Sequence, residues 1–166
     1  MQLDKESYEQ HCRWMQYALE LAGKAGEAGE IPVGAVLVDA QGSIVGEGNN
    51  RKERDRDPTA HAEMIAIRAA AQKISNWHLN DLTLYVTLEP CPMCSGAIIQ
   101  GRVGTLVYGA DDPKTGAVRS VLNLPDSAAS NHRLTVIGGI LNDACRQQLQ
   151  AWFQEKRQGK LGSNNE

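Results

Sequence analysis

At 166 residues the chain is long enough to bury the core of one domain, and a composition 42% hydrophobic and 22% charged is that of an ordinary globular protein. A formal net charge of −3 argues against a generic polyanion binder, because phosphate recognition rewards lysine and arginine. No apolar run approaches the roughly 20 residues needed to cross a bilayer, and the first ten residues have neither the basic start nor the apolar stretch of a secretory signal. A cytoplasmic location with no membrane partner is therefore expected.

The charge is unevenly spread. Residues 1–30 carry six acidic and three basic side chains, and the remainder carries fourteen of each. Within that neutral part, residues 146–160 hold Arg146, Lys156, Arg157 and Lys160 against Glu155 alone. The total does not decide the partner.

In chain order, Cys12, Met15, Leu19, Ala22 and Ala25 after Ser7 form a helical stripe that should end near Gly26 and Gly29. Residues 33–40 and 43–49 read as the two arms of a hairpin around Gln41-Gly42. Residues 50–58 read as a charged loop, after which Thr59 can cap a helix reaching about Ile74. An apolar strand is expected at 82–88, a short helix at 91–100 begun by Pro90, and another strand at 103–108. Residues 110–133 form a long polar connection with one helical turn expected at 119–123. A last strand at 134–137 and a final helix at 142–157 complete one domain over residues 1–157, with 158–166 expected to be a disordered tail. Five strands among helices after an opening hairpin predict an α/β protein, a mixed sheet covered on both faces by helices.

Two segments carry chemistry: His61-Ala62-Glu63 and Pro90-Cys91-Pro92-Met93-Cys94. One imidazole and two thiols leave a tetrahedral zinc ion one open corner, the arrangement of a catalytic site. Both segments fall where a strand or loop gives way to a helix, and the positive end of a helix favours thiolates at Cys91 and Cys94. Two thiolates, a neutral imidazole and Zn²⁺ sum to zero charge, which softens the Lewis acidity and makes a neighbouring base matter more. Glu63 is assigned as that base, a proton shuttle and not a ligand. A lone Cys-x-x-Cys is also consistent with a redox pair or half of a structural zinc site, but His11, His78 and His132 are isolated and make poor fourth ligands. Cys12 and Cys145 are expected to be small buried apolar side chains on helices.

The pattern His-x-Glu followed by Pro-Cys-x-x-Cys resembles the signature of the zinc nucleoside and nucleobase deaminases. Further segments narrow the likeness: Pro-Val-Gly-Ala-Val at 32–36, Gly-Glu-Gly-Asn-Asn-Arg at 46–51, Asp-Pro-Thr-Ala-His-Ala-Glu-Met at 57–64 and Tyr-Val-Thr-Leu-Glu-Pro-Cys-Pro-Met-Cys-Ser-Gly-Ala at 85–97. Gly-Ala-Asp-Asp-Pro-Lys-Thr-Gly-Ala at 109–117, Asn-His-Arg at 131–133 and Gly-Gly-Ile-Leu at 138–141 continue it. Over roughly residues 8–157 the chain is similar to the bacterial tRNA-specific adenosine deaminases.

The resemblance implies a cytidine deaminase-like three-layer α/β/α sandwich acting as a homodimer with one Zn²⁺ per chain. It implies hydrolytic conversion of adenosine to inosine at the wobble position of a tRNA anticodon, with Glu63 moving the protons. Asn50 then matches a residue that hydrogen-bonds the purine, and Asp112 one that lies beside the substrate backbone and can accept from a ribose 2′-OH. Phe153, Lys156 and Arg157 fall where the final helix helps hold the anticodon stem-loop. Trp152 and Phe153 read equally well as core. The charged stretch at 52–56 and Asn49, where an aromatic side chain is expected, depart from the family pattern. Two alternatives remain from sequence: a deaminase of a free base or nucleoside such as guanine or cytosine, and a zinc module that only binds RNA.

Overall fold

A computed structural model describes residues 2–162. Its centre is a mixed five-stranded sheet in the order β2-β1-β3-β4-β5. Strands β1 (Gly34–Val38) and β2 (Ile44–Asn49) form the opening hairpin, and β1 also pairs antiparallel with β3 (Thr83–Leu88). From there β3, β4 (Thr105–Ala110) and β5 (Thr135–Gly138) run parallel. Parallel neighbours require a crossover, and helix α4 (Pro92–Gln100) supplies it between β3 and β4.

The remaining helices are α1 (Lys5–Glu27), α2 (Lys52–Asp55), α3 (Ala62–Ile74) and α5 (Asn142–Gly162). Side chains alternate along each strand and divide the core in two. Ala35, Leu37, Leu84, Val86, Leu106 and Tyr108 pack against Ala62, Ala66 and Ala70 of α3 and Ile98 of α4. On the other face Val36, Val38, Tyr85 and Val107 meet Met15, Ala18 and Leu21 of α1 and Cys145 of α5. Both faces are covered, so the expected α/β/α sandwich is the observed one.

Helix α3 rests almost backbone to backbone on β2. A Cβ on Gly46 would lie 2.4 Å from the Ala66 carbonyl oxygen, and one on Gly48 would lie 2.7 Å from that of Ala62. The two glycines facing an alanine stripe therefore fix where the N-terminus of α3 comes to lie. Gly46→Val should overpack this contact and cost about 3 kcal/mol in urea unfolding. A variant as stable as the parent would contradict the close approach.

The structure departs from the sequence reading in four places. Thr59 does not cap α3; its hydroxyl donates to Asp57 Oδ1 at 2.7 Å, closing a turn, and His61 occupies the N-cap position. The loop at 50–58 contains the short helix α2. No helical turn forms at 119–123, because the amides of Val118, Arg119 and Ser120 all turn toward the carboxylate of Glu89. Finally, α5 runs to Gly162, so residues 158–162 continue the helix where a disordered tail was expected; no proline interrupts them, and Gly159 is helical. Residues 163–166 of that tail lie outside the described residues. Cys145 is buried as expected, Cys12 is half-buried, and all four cysteines are free. Among the described residues no helix is long and apolar enough to cross a membrane.

Candidate active site

The carboxyl ends of β2, β3 and β4 open toward one edge of the sheet, the position where open α/β sheets hold ligands. Each strand delivers part of the site there: Asn50 follows β2, Glu89 and Cys91 follow β3, and Asp112 follows β4. Helices α3 and α4 begin at the same edge. Extended backbone at His61 (φ −77°, ψ 151°) and Cys91 (φ −72°, ψ 173°) makes both N-cap residues. Pro92, with φ already set for a helix, starts α4 and brings Cys94 round to the side of Cys91.

The two segments meet as expected. His61 Nδ1 lies 3.6 Å from Cys91 Sγ and 3.5 Å from Cys94 Sγ, and the three atoms lie within 4.8 Å of one another. A tetrahedral ion bonded at about 2.3 Å to sulfur and 2.0–2.1 Å to nitrogen sets these N···S edges at about 3.6 Å. Both N···S separations thus match those expected around a metal ion of that size. Glu63, in the first turn of α3, is buried and lines a cleft of about 120 Å³ together with His61, Cys91, Asn50, Glu89, Asp112 and Thr115. A cleft of about 720 Å³ between the N-terminal segment and β5 is larger, but it gathers no such set of ligating side chains.

Electrostatics set the groups apart. Burial pushes the Glu63 carboxyl up to about 7. A hydrogen bond with Cys94 holds the Cys91 thiol well below its ordinary range, and the same bond, with burial, raises Cys94. A bound cation would draw both sulfurs to thiolate. The hydrogen bond to Cys91 raises His61.

Asn50 is 7% exposed, and its side chain is largely committed to the backbone. Its Oδ1 accepts from the Ala62 N–H at 3.0 Å and its Nδ2 donates to the Ile31 carbonyl at 3.0 Å. It therefore caps the helix that carries His61 and Glu63, and one Nδ2 hydrogen remains for a ligand. Asp112 lines the cleft but spends most of its carboxylate on a turn. Oδ1 accepts from the Lys114 and Thr115 amides at 3.0 and 3.2 Å, and Oδ2 accepts from the Thr115 hydroxyl at 2.8 Å.

Phe153, Lys156 and Arg157 lie outside the inner cleft. They line a shallower one of about 430 Å³ with Glu30, Ile31, Lys52, Trp152 and Lys160, and the two clefts share Ile31 and Lys52. Trp152 is fixed by its Nε1–H donating to the Gly26 carbonyl at 3.1 Å, with Phe153 edge-on at 5.1 Å and 40% exposed. Neither belongs to the core. Two of the five charges at 52–56, Arg54 and Asp55, are paired within the protein. Arg51 makes a two-pronged contact with Asp55 at 2.9 and 3.0 Å, and Arg54 lies 3.7 Å from buried Glu30.

Sequence reasoning missed two buried carboxylates. Glu30 accepts from the amides of Glu53 and Arg54 at 3.3 and 2.8 Å and anchors α2 beside the cleft. Burial alone would raise the Glu89 carboxyl, but hydrogen bonds from Ser120, Asp112 and Arg119 outweigh it and hold it below its usual range. The available signal was a carboxylate closing an otherwise apolar strand immediately before the Pro90-Cys91 segment.

A mixed sheet whose strand ends gather an imidazole, two thiols and a buried carboxylate defines a hydrolytic deaminase, and the family model for MafB19-like deaminases matches residues 9–149. The chain is 53% identical over 148 residues to the tRNA-specific adenosine deaminase of Haemophilus influenzae, covering 89% of this chain and 86% of that one. It is 44% identical to the Bacillus subtilis enzyme of the same name, covering 89% and 91%. The chain belongs to the tRNA-specific adenosine deaminase family. Its fold matches a solved structure from work on A-to-I editing by tRNA:A34 deaminases at the wobble position, with TM-score 0.79 and 40% identity over 82% of this chain and 98% of that one. It also matches a guanine deaminase from Nitrosomonas europaea, with TM-score 0.70 and 28% identity over 83% and 81%.

Proposed function

We propose that this chain converts adenosine to inosine at the wobble position of a tRNA anticodon, consuming water and releasing ammonia. The observation that carries the reading is the continuity of two clefts, one holding the His61-Cys91-Cys94 group with Glu63, the other basic and aromatic along α5. A free base has no use for the second cleft, whereas a stem-loop offers phosphates to its lysines and arginine and bases to Phe153. The likeness to guanine deaminase supports the shared chemistry at lower identity.

His61, Cys91 and Cys94 would hold one zinc ion, whose Lewis acidity would make hydroxide available near neutral pH. Glu63 takes a proton from water and passes it to the purine ring at N1 as the hydroxide adds to C6. It then takes the proton of the new C6 hydroxyl and delivers it to the amine, which departs as ammonia and leaves the C6 carbonyl of inosine. A carboxyl with a pKa raised toward neutrality suits both halves of that traffic. Asn50 keeps α3 in place while its remaining Nδ2 hydrogen meets the base. Asp112 Oδ2 accepts from a ribose hydroxyl, a contact DNA lacks. Because the target base lies in a loop, little duplex must be opened to reach it. We infer a single deaminase domain working as a homodimer in the cytoplasm, where its substrate is made.

Lys156→Ala and Arg157→Ala should each weaken stem-loop binding and lower the slope of log affinity against log salt by about 0.7–1, leaving metal content unchanged. An unchanged slope in both would remove α5 from the RNA surface. The function itself is tested by incubating the protein with an anticodon stem-loop and, separately, with free guanine, cytosine and nucleosides. Inosine in the RNA is expected; turnover of a free base without inosine would select the rival reading.

A further inference from the structure

Glu89 directly follows β3, two residues before Cys91, and is 2% exposed, yet it is neither a ligand of the His-Cys group nor its proton carrier. Five donors converge on its carboxylate. Oε1 accepts from the backbone amides of Val118, Arg119 and Ser120 at 3.2, 2.7 and 2.9 Å. Oε2 accepts from the Asp112 amide at 3.0 Å and from the Ser120 hydroxyl. Two backbone bonds reinforce the seam, Glu89 N–H to the Ala110 carbonyl at 2.8 Å and Ala117 N–H to the Pro90 carbonyl at 2.9 Å.

One carboxylate thus ties both ends of the segment 112–120 to the turn that presents Cys91. Between the ends the chain passes so close that a Cβ on Gly116 would lie 2.3 Å from Oε2. The same segment sets Asp112 and Thr115 in the wall of the inner cleft. It has no helix or strand of its own to hold it, so the carboxylate takes the place of regular secondary structure.

We propose that Glu89 is a positioning residue for the substrate: it holds segment 112–120 as a preformed wall of the cleft, so that binding does not have to order it. The inference rests on the reading of the cleft as an RNA adenosine site. A preformed wall lowers the ordering cost of binding and leaves proton transfer at Glu63 alone, so its loss is felt in KM before kcat.

Glu89→Gln tests it. In either orientation of the amide, one arm of the tether meets N–H with N–H while the other keeps its acceptor. Losing charge-assisted hydrogen bonds of this kind should raise KM for a stem-loop about tenfold, with kcat at saturation within about threefold of the parent. Metal should remain at one ion per chain. Amide hydrogen exchange should quicken at Asp112, Gly116 and Val118–Ser120 and stay unchanged at Val86 and Tyr108 in the neighbouring strands. Gly116→Ala, which disturbs the same carboxylate without touching its charge, should give the same pattern.

A fall in kcat at constant KM, loss of metal, or exchange rising equally in β3 and β4 would overturn the proposal and make Glu89 general scaffolding. If the parent protein forms no inosine, it is the functional reading that fails. The exchange measurement then still decides whether Glu89 holds the segment.

Discussion

Glu63→Ala is expected to leave one metal ion bound per chain while lowering inosine formation by about a thousandfold or more. General acid–base catalysis contributes about 10²–10⁴ in rate, and this one carboxylate serves successive proton transfers, so the upper part of that range applies. Its burial at the start of α3 makes the prediction discriminating. A buried carboxylate is costly to keep, and removing one that serves only catalysis should leave stability level or higher. Glu63→Gln, which preserves volume, should be as inactive as the alanine variant. Full activity in either, or loss of the metal in both, would refute the proton-carrier role.

Cys91→Ala should remove the metal and with it both activity and stability. A ligand present at a thousandfold over its dissociation constant contributes about 4 kcal/mol to the folded state. At roughly 2–4 °C per kcal/mol for a chain of this size, the melting temperature should fall by about 8–16 °C. Prolonged treatment of the parent with a strong chelator should lower it by a similar amount, since the same linkage is being removed. If the variant retained one ion per chain and its melting temperature, the His61-Cys91-Cys94 group would not be the metal site.

The parts of this molecule that were legible in the sequence are those governed by periodicity and by local chemistry. The β-branched and small apolar run through Val36, Leu37 and Val38, with the turn signal at Gln41-Gly42, announced the opening hairpin, and the stripe through Met15 and Ala22 announced α1. The metal-fitting group was legible because the placement of both segments near the start of a helix and the Cys-x-x-Cys spacing are short-range features. What was not legible depends on partners far along the chain. Asn50 caps α3 from 12 residues away, displacing the expected role of Thr59. Glu89 gathers amides about 30 residues downstream and prevents the helical turn expected there. Trp152 reaches back across 126 residues to Gly26, which is why a side chain that read as core sits instead at the edge of the outer cleft. Propensity describes what a segment prefers alone, and these three side chains impose preferences from outside the segment.

The measurement that bears most directly on the account is inosine formation in a synthetic anticodon stem-loop carrying adenosine at the wobble position, with metal content determined on the same preparation. One ion per chain and inosine at that position, with no release of ammonia from free guanine or cytosine, is the predicted result. Rapid ammonia release from a free base, with the stem-loop adenosine untouched, would contradict it.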